Sequence, residues 1–470
     1  MTEKSNIDGP IRVAVIGSGP AGFYAAEHLF KHQEYEFQID MYDKLPTPHG
    51  LVRSGVAPDH QKIKSVTRVY DKIASHPNFR FFGYVEYGKD ITMEDLKRHY
   101  NVIVFATGAE TDRRMNIPGE DLKGSHTATE FVAWYNGHPH YGESRFDLSA
   151  EAVAIVGVGN VAVDVARILC RTDEELGETD IADYAREALK DSRVKDVYLL
   201  GRRGPLQAAF TNPEVRELGK LKNAHAITKE DEVALDIHSA KYLEDSSDVS
   251  VQKKHEILSS FSEEREHHES KKLHIRFLVS PVEIIGDEEG KVKAIKLVKN
   301  ELYKSEDGSL RPRPTQEYEE IPVGLVFRSI GYHGVPLPGV PFNESWGVIH
   351  NEKGRVTDPE TKEHIRGLYA TGWIKRGPTG VIGTNKQDSG ETVACIVEDI
   401  ERGDVNLPEN PDPQSVTELL RERKPDFVTY EDWLRLNELE IERGKALGKP
   451  RQKFTTIDDI MNALKKKDES

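Results

Sequence analysis

A strand that runs straight into a glycine turn and then a helix constrains this chain more than any other feature, and it occurs twice. The first copy opens with the apolar run Ile11-Arg12-Val13-Ala14-Val15-Ile16, continues as Gly17-Ser18-Gly19-Pro20-Ala21-Gly22, and passes into a helical stretch over 23–32. Gly17 permits the tight turn, Gly19 lets a pyrophosphate approach the backbone, and Gly22 lets helix and strand pack closely. The helix start then presents free N–H groups and a positive dipole end to phosphates. A second strand over 37–42 ends in Asp43, which lies 21 residues after Gly22. A carboxylate there can hold ribose hydroxyls. The unit reads as a dinucleotide site for FAD or NAD.

The second copy is Ala152 to Val156, then Gly157-Val158-Gly159-Asn160-Val161-Ala162 and a helix through Cys170. Ala162 replaces the third glycine, which this fingerprint allows. The next strand, 197–200, ends in Gly201-Arg202-Arg203. Two arginines stand where the first copy has an acid. Arginine suits a 2′-phosphate and an acid repels it, so the second site reads as one for NADP. The expected fold is therefore α/β, with two Rossmann-like dinucleotide-binding domains. Three more apolar strands end in glycine, at Gly108, Gly331 and Gly372. They mark where the chain leaves the first domain, returns to it, and lies beside its cofactor. The predicted boundaries are 1–107 plus 333–470 for the FAD domain and 108–332 for the inserted NADP domain.

Composition narrows the function. Charged residues make up 31% of the chain and no apolar run reaches 18 residues, which argues against a membrane span. A formal net charge of −16 argues against a general nucleic-acid binder. Residues 1–10 are polar and carry acids, unlike a secretory or transit leader, so a cytoplasmic address is expected. Only two cysteines are present, Cys170 and Cys395, and they are far apart. They form no CxxC pair and cannot by themselves ligate a zinc ion or an iron–sulfur cluster. No metal site is expected. The polar stretch 172–196 reads as a helical insertion, and 223–272 as an exposed, solvated helical arm. Past Glu409 the pattern predicts polar helices wrapping the surface, with Trp433, Leu434, Leu436 and Leu439 as a packed stripe.

Four longer motifs carry a family resemblance. They are Leu45-Pro46-Thr47-Pro48-His49-Gly50-Leu51-Val52-Arg53-Ser54-Gly55-Val56-Ala57-Pro58-Asp59-His60, Gly159-Asn160-Val161-Ala162-Val163-Asp164-Val165-Ala166-Arg167, the segment Gly201 to Thr211, and Trp373-Ile374-Lys375-Arg376-Gly377-Pro378-Thr379-Gly380-Val381-Ile382-Gly383-Thr384-Asn385. Over nearly its whole length the chain resembles adrenodoxin reductase and its bacterial ferredoxin–NADP⁺ reductase relatives. The resemblance implies that NADPH gives a hydride to FAD, whose electrons then pass singly to an iron–sulfur ferredoxin. It implies that residues 46–65, with Leu51, cover the flavin and pyrophosphate, and that Val85 also borders FAD. Trp373, Gly380, Val381 and Ile382 would lie against the flavin ring, with a helix start placing positive potential near it. Gly17, Gly19, Pro20, Ala21, Gly22 and Asp43 would hold FAD. Gly159, Asn160, Val161, Arg202 and Arg203 would hold NADP(H). His60 and Asp164 match a polar pair on the electron-exit side, and Glu214 an acid facing the nicotinamide. Arg216, with Lys220 and Lys222 nearby, matches a dock for an acidic ferredoxin. No function is carried onto 223–272 or the last forty residues.

Other readings of the same architecture differ in testable parts. A disulfide reductase needs a dithiol beside the flavin, which this chain cannot form internally. A glutamate-synthase-like subunit needs cysteine clusters. A flavin monooxygenase or a flavin-bound scaffold without turnover would leave a one-electron acceptor unreduced by NADPH.

Overall fold

The computed structural model describes residues 9–262 and 271–465. Two sheets organise them. The first has seven strands in the order Asn351–Glu352, Arg355–Thr357, His364–Ala370, Val102–Phe105, Ile11–Ile16, Phe37–Asp43 and Phe79–Gly83. The last five of these run parallel. Parallel strands are covered by helices on both faces, so their sequences are apolar throughout rather than alternating. Val13, Ala14 and Val15 are accordingly all fully buried. The helices Pro20–Phe30 and Thr384–Glu401 pack along one another on one face.

The second sheet has six parallel strands in the order Ser125–Thr127, Leu325–Arg328, Ala152–Val156, Asp196–Leu200, Lys271–Arg276 and Ala224–Thr228. A three-stranded antiparallel sheet, Val279–Gly286, Val292–Lys304 and Leu310–Pro322, packs beside it. The doubly wound α/β architecture read from the two glycine turns is thus present in both copies. The chain leaves the first sheet after Val102–Phe105 and comes back by Tyr332–His333, which pairs antiparallel with Thr111–Asp112. The two crossings therefore run side by side.

Two sequence expectations need correction. The 223–272 stretch is not simply a solvated arm. Ala224–Thr228 is an edge strand of the second sheet, Val233 and Leu258 are buried, and Glu232 accepts hydrogen bonds from Arg276 at 2.8 and 3.0 Å. Ile237, Tyr242 and Val249 do face solvent, but Ala224, Ala226, Val233 and Leu258 turn inward, and low overall hydrophobicity hid a structural strand. Part of the stretch, 263–270, lies outside the described residues. The second correction concerns the late stripe. Trp433 and Leu436 are buried, but Leu434 and Leu439 face outward, because only one edge of the helix Tyr430–Ala446 touches the body. The 172–196 insertion does fold as helices, Asp173–Gly177 and Asp183–Lys190.

Candidate functional site

The first turn shows the division of labour expected of its glycines. Gly17 has φ +107°, and a Cβ there would meet the Ala106 carbonyl oxygen at 2.5 Å. A Cβ on Gly22 would lie 2.3 Å from the Gly17 carbonyl oxygen. Gly19 is different: nothing lies within 4 Å of its Cβ position, so its backbone faces open space. The Pro20–Phe30 helix begins there with Pro20 in its first turn. Asp43 closes the arrangement. Its carboxylate accepts hydrogen bonds from the Ser18 N–H at 3.0 Å, the Ser18 hydroxyl, and the Leu45 N–H at 2.9 Å. Asp43 therefore also pins the turn, a task the sequence did not reveal. Burial raises its pKa against these bonds. Val85 is buried and its N–H donates to the Asp43 carbonyl. The 46–65 loop folds over the turn at Gly50, whose Cβ position is 3.1 Å from the Gly19 Cα. Leu51, next in line, is exposed.

The third glycine-ended strand reaches the same place. His364–Ala370 pairs with Val102–Phe105, and a Cβ on Gly372 would lie 2.5 Å from the Ala21 Cβ. The Gly372 N–H donates to Asp388 at 2.6 Å, fixing the segment against the start of the Thr384–Glu401 helix. Trp373 is half-buried beside Tyr332, and its indole N–H donates to the Thr379 carbonyl at 3.2 Å. Gly380 and Val381 are exposed and Ile382 half-buried, so this glycine-rich rim faces outward at the helix start. An open backbone rim and an N-terminal helix end suit a flat ring that takes up negative charge.

The second turn repeats the first. Gly157 has φ +131° and its Cβ position is 2.1 Å from the Ser329 carbonyl oxygen, whereas Gly159 has nothing within 4 Å. Asn160 accepts a hydrogen bond from the Thr211 N–H at 2.9 Å, tying the turn to the helix Asn212–Leu218. Val161 is half-buried. Arg202 is exposed and Arg203 half-buried at the end of Asp196–Leu200. Among the described residues neither has an acidic partner, and the Arg203 guanidinium donates to the Gln207 carbonyl at 3.3 Å. Burial and the neighbouring Arg202 both lower the Arg203 pKa, the signature of a cation lacking its anion.

Between the two turns lies a charge network centred on Arg167, which is fully buried. Its Nε and Nη2 donate to Asp59 at 2.6 and 3.0 Å, and Nη2 also donates to Asp164 at 2.7 Å. Glu214 stands 3.5 Å away. The sequence-matched pair His60 and Asp164 does come close, but at 3.9 Å it is not hydrogen-bonded. His60 Nε2 is instead hydrogen-bonded to Glu217 at 2.9 Å. Arg167 outcompetes the imidazole for Asp164 because it is fixed on the same helix one turn away. Burial pulls the His60 pKa down, yet Glu217, Asp164 and Asp59 outweigh it and leave it raised. Burial and the nearby Asp164 raise Glu214. Burial works against the Asp59 carboxylate, but Arg167 and Arg171 hold it far below the ordinary range. Sequence reasoning missed the roles of Arg167 and Glu217. Both sit within the quoted or neighbouring motifs, and Asp164 and Arg167 three residues apart in a largely apolar helix were the available signal.

Arg216, Lys220 and Lys222 are all exposed on or just after the Asn212–Leu218 helix, next to this network. Cys170 and Cys395 are both buried free thiols, and burial pushes Cys170 up to about 12. No helix among the described residues is long and apolar enough to cross a membrane.

Comparison with known proteins agrees with this geometry. The pyridine nucleotide-disulphide oxidoreductase family model matches residues 11–383. The NADPH-ferredoxin reductase FprA of Mycobacterium tuberculosis (strain ATCC 25618 / H37Rv) is 40% identical over 465 residues, covering 96% of this chain and 98% of that one. The chain belongs to the adrenodoxin-reductase-type ferredoxin–NADP⁺ reductase family. Another member, the mitochondrial NADPH:adrenodoxin oxidoreductase of Arabidopsis thaliana, is 40% identical over 464 residues, or 97% of this chain and 95% of that one. The solved structure of Mycobacterium tuberculosis FprA in complex with NADPH superposes with a TM-score of 0.90 at 40% identity, covering 97% and 99% of the two chains. Membership fixes the fold as the two-unit dinucleotide-binding one, and the enzyme class as an NADPH-dependent flavoprotein oxidoreductase.

Proposed function

We propose that the chain is an FAD-dependent ferredoxin–NADP⁺ reductase that moves reducing equivalents from NADPH, through FAD, to an iron–sulfur ferredoxin. The observation that carries the reading is the contrast at the two turns. Each leaves one glycine facing open space, but the first ends in an acid and the second in two arginines that have no acidic partner among the described residues. We assign residues 1–107 and 333–470 to the flavin unit and 108–332 to the nucleotide unit; the paired crossings Thr111–Asp112 and Tyr332–His333 support those boundaries.

FAD, when bound, supplies the conversion of a two-electron hydride into single electrons, and the protein orients it and shapes the field around it. Gly19, Pro20 and Ala21 would cradle its pyrophosphate and Asp43 its ribose. Leu51, Val85, Trp373 and residues 380–382 would border the rest of it. Gly159, Asn160 and Val161 would receive the NADPH pyrophosphate, and Arg202 and Arg203 its 2′-phosphate. Glu214, with its raised pKa, would stand at the nicotinamide side, where a carboxyl that keeps its proton to higher pH does not repel incoming negative charge. His60 would hold positive charge at the junction through Glu217, and Asp164 would orient Arg167. The partner would be an acidic ferredoxin docking at Arg216, Lys220 and Lys222, a local basic surface on a chain of net charge −16. A dithiol route has no support, since both cysteines are buried and lie on separate helices, Asn160–Cys170 and Thr384–Glu401.

The reading is tested by anaerobic titration of the yellow protein with NADPH and then with host ferredoxins. NADPH should bleach the flavin absorbance, and oxidised ferredoxin should restore it. Bleaching that no ferredoxin reverses, while a disulfide or oxygen does, would replace ferredoxin with a different acceptor.

A further inference from the structure

A cavity of about 440 Å³ lies where the 46–65 loop, the Thr67–Ala74 helix, the Tyr430–Ala446 helix and residues 451–453 meet. None of its lining residues belongs to either glycine turn, to Asp43, or to the 373–385 rim. Five cations line it: Arg53, Lys64, Arg68, Arg451 and Lys453. The acids that answer them are fewer. Lys64 and Lys453 share Asp180, at 2.7 and 3.3 Å, and Arg53 and Arg451 share Glu440, at 2.6 and 3.3 Å. Asp71 is bound by the Tyr430 hydroxyl, and burial raises its pKa. Arg68 is exposed at the mouth and has no ion pair among the described residues. Against Asp180, Glu440 and Asp71 the five cations leave an excess of about two, one of them the exposed Arg68 at the mouth and the other in the buried part, where an unanswered charge is costly. Burial, Lys64, Arg53 and Arg451 all drive the Lys453 ammonium towards losing its proton, with only Asp180 opposing.

A second observation points the same way. His49 lines the cavity at 3% exposure, and its Nε2 has no hydrogen-bond partner, the Asp71 carboxylate being 3.7 Å away. Burial pushes this imidazole down to about 3, so it is neutral, and its Nε2 can serve as the donor in the tautomer that protonates it. Buried polar nitrogens are normally satisfied, and this one lacks the partner that a ligand in the cavity would supply.

We propose that the cavity is a binding site for a dianionic oxyanion, a phosphate or phosphate monoester, held by Arg68, Arg451, Lys64 and Lys453 with His49 Nε2 as donor. The site joins three parts of the chain. His49 adjoins Gly50, which covers the first glycine turn; Asp180 belongs to the insertion in the nucleotide unit; and Arg451 and Lys453 come from the C-terminal segment. A bound dianion would fasten the turn-covering loop to the second unit.

The test is thermal unfolding of the FAD-loaded protein, saturated with NADP⁺ so that the nucleotide site is filled. Ionic strength is held constant with sodium chloride while inorganic phosphate, glycerol 3-phosphate or succinate is titrated. A ligand that binds only the folded state raises the midpoint in a saturable way. Phosphate or glycerol 3-phosphate should do so. The concentration for half the effect should rise about tenfold or more in Arg68→Ala and in Arg451→Gln. Arg68 is exposed, so its variant tests binding without disturbing the core. A tighter response to glycerol 3-phosphate assigns the site to a phosphorylated small molecule, and a tighter response to inorganic phosphate assigns it to the free oxyanion. No saturable rise, an equal rise with succinate, or a response unchanged in both variants would overturn the proposal.

Discussion

Gly17 and Gly157 stand at φ +107° and +131°, and a Cβ on either would fall 2.5 or 2.1 Å from the carbonyl oxygen just past the neighbouring parallel strand. Gly19 and Gly159, two residues on, have nothing near their Cβ positions. The two turns are therefore the same backbone device, used once in each sheet. They differ where the next strand ends. In the first, Asp43 is taken into the turn by Ser18 and Leu45; in the second, Arg202 and Arg203 have no acid to pair with among the described residues. The packing residues of such a turn decide that a dinucleotide fits. The charged residue beyond decides which one, since an acid repels a 2′-phosphate and a guanidinium binds it.

The comparison breaks hardest at the junction both turns share. Removing Arg167 leaves Asp59, Asp164 and Glu214 facing one another without their buried cation, so Arg167→Met should cost about 3–5 kcal/mol. Urea unfolding of the FAD-loaded protein reads this directly, and a loss within about 0.5 kcal/mol would show the network to be dispensable. Within the second turn, Gly157→Val should destabilise by about 1–3 kcal/mol through its left-handed φ and the Ser329 clash. Gly159→Val should leave unfolding near wild type yet abolish flavin bleaching by NADPH. Equal stability losses in the two variants would mean that the open space at Gly159 is not what admits the nucleotide. Arg216→Glu should slow ferredoxin reduction severalfold while sparing flavin bleaching, and rising salt should act in the same direction by screening the dock. Stopped-flow traces with and without ferredoxin separate the two steps. The smallest effect is expected at the thiols: Cys170→Ala and Cys395→Ala should keep NADPH-dependent acceptor reduction largely intact.

The two dinucleotide-binding units of the α/β fold were legible because glycine turns, apolar strands and strand-terminal charges are local in sequence. The junction was legible only in part. His60, Asp164 and Glu214 could be matched to motifs, but the rank order of partners around Arg167 depends on which side chains three separated segments bring within 3 Å. The edge strand Ala224–Thr228 was hidden in a polar stretch because an edge strand needs few apolar residues. The Asp180 and Glu440 pairings with the C-terminal cations span more than two hundred and more than ten residues respectively, and no local pattern announces them.

The claim that the second turn sorts the cofactor by charge is tested most directly by anaerobic flavin bleaching with NADPH and with NADH, in the wild type and in the Arg202→Ala/Arg203→Ala double variant. Each lost charge-assisted hydrogen bond is worth roughly 1.5–3 kcal/mol, so the NADPH dissociation constant should rise about tenfold to a hundredfold or more. The NADH constant should barely move. Equal weakening of both cofactors, or a wild type that takes NADH as readily as NADPH, would contradict the account.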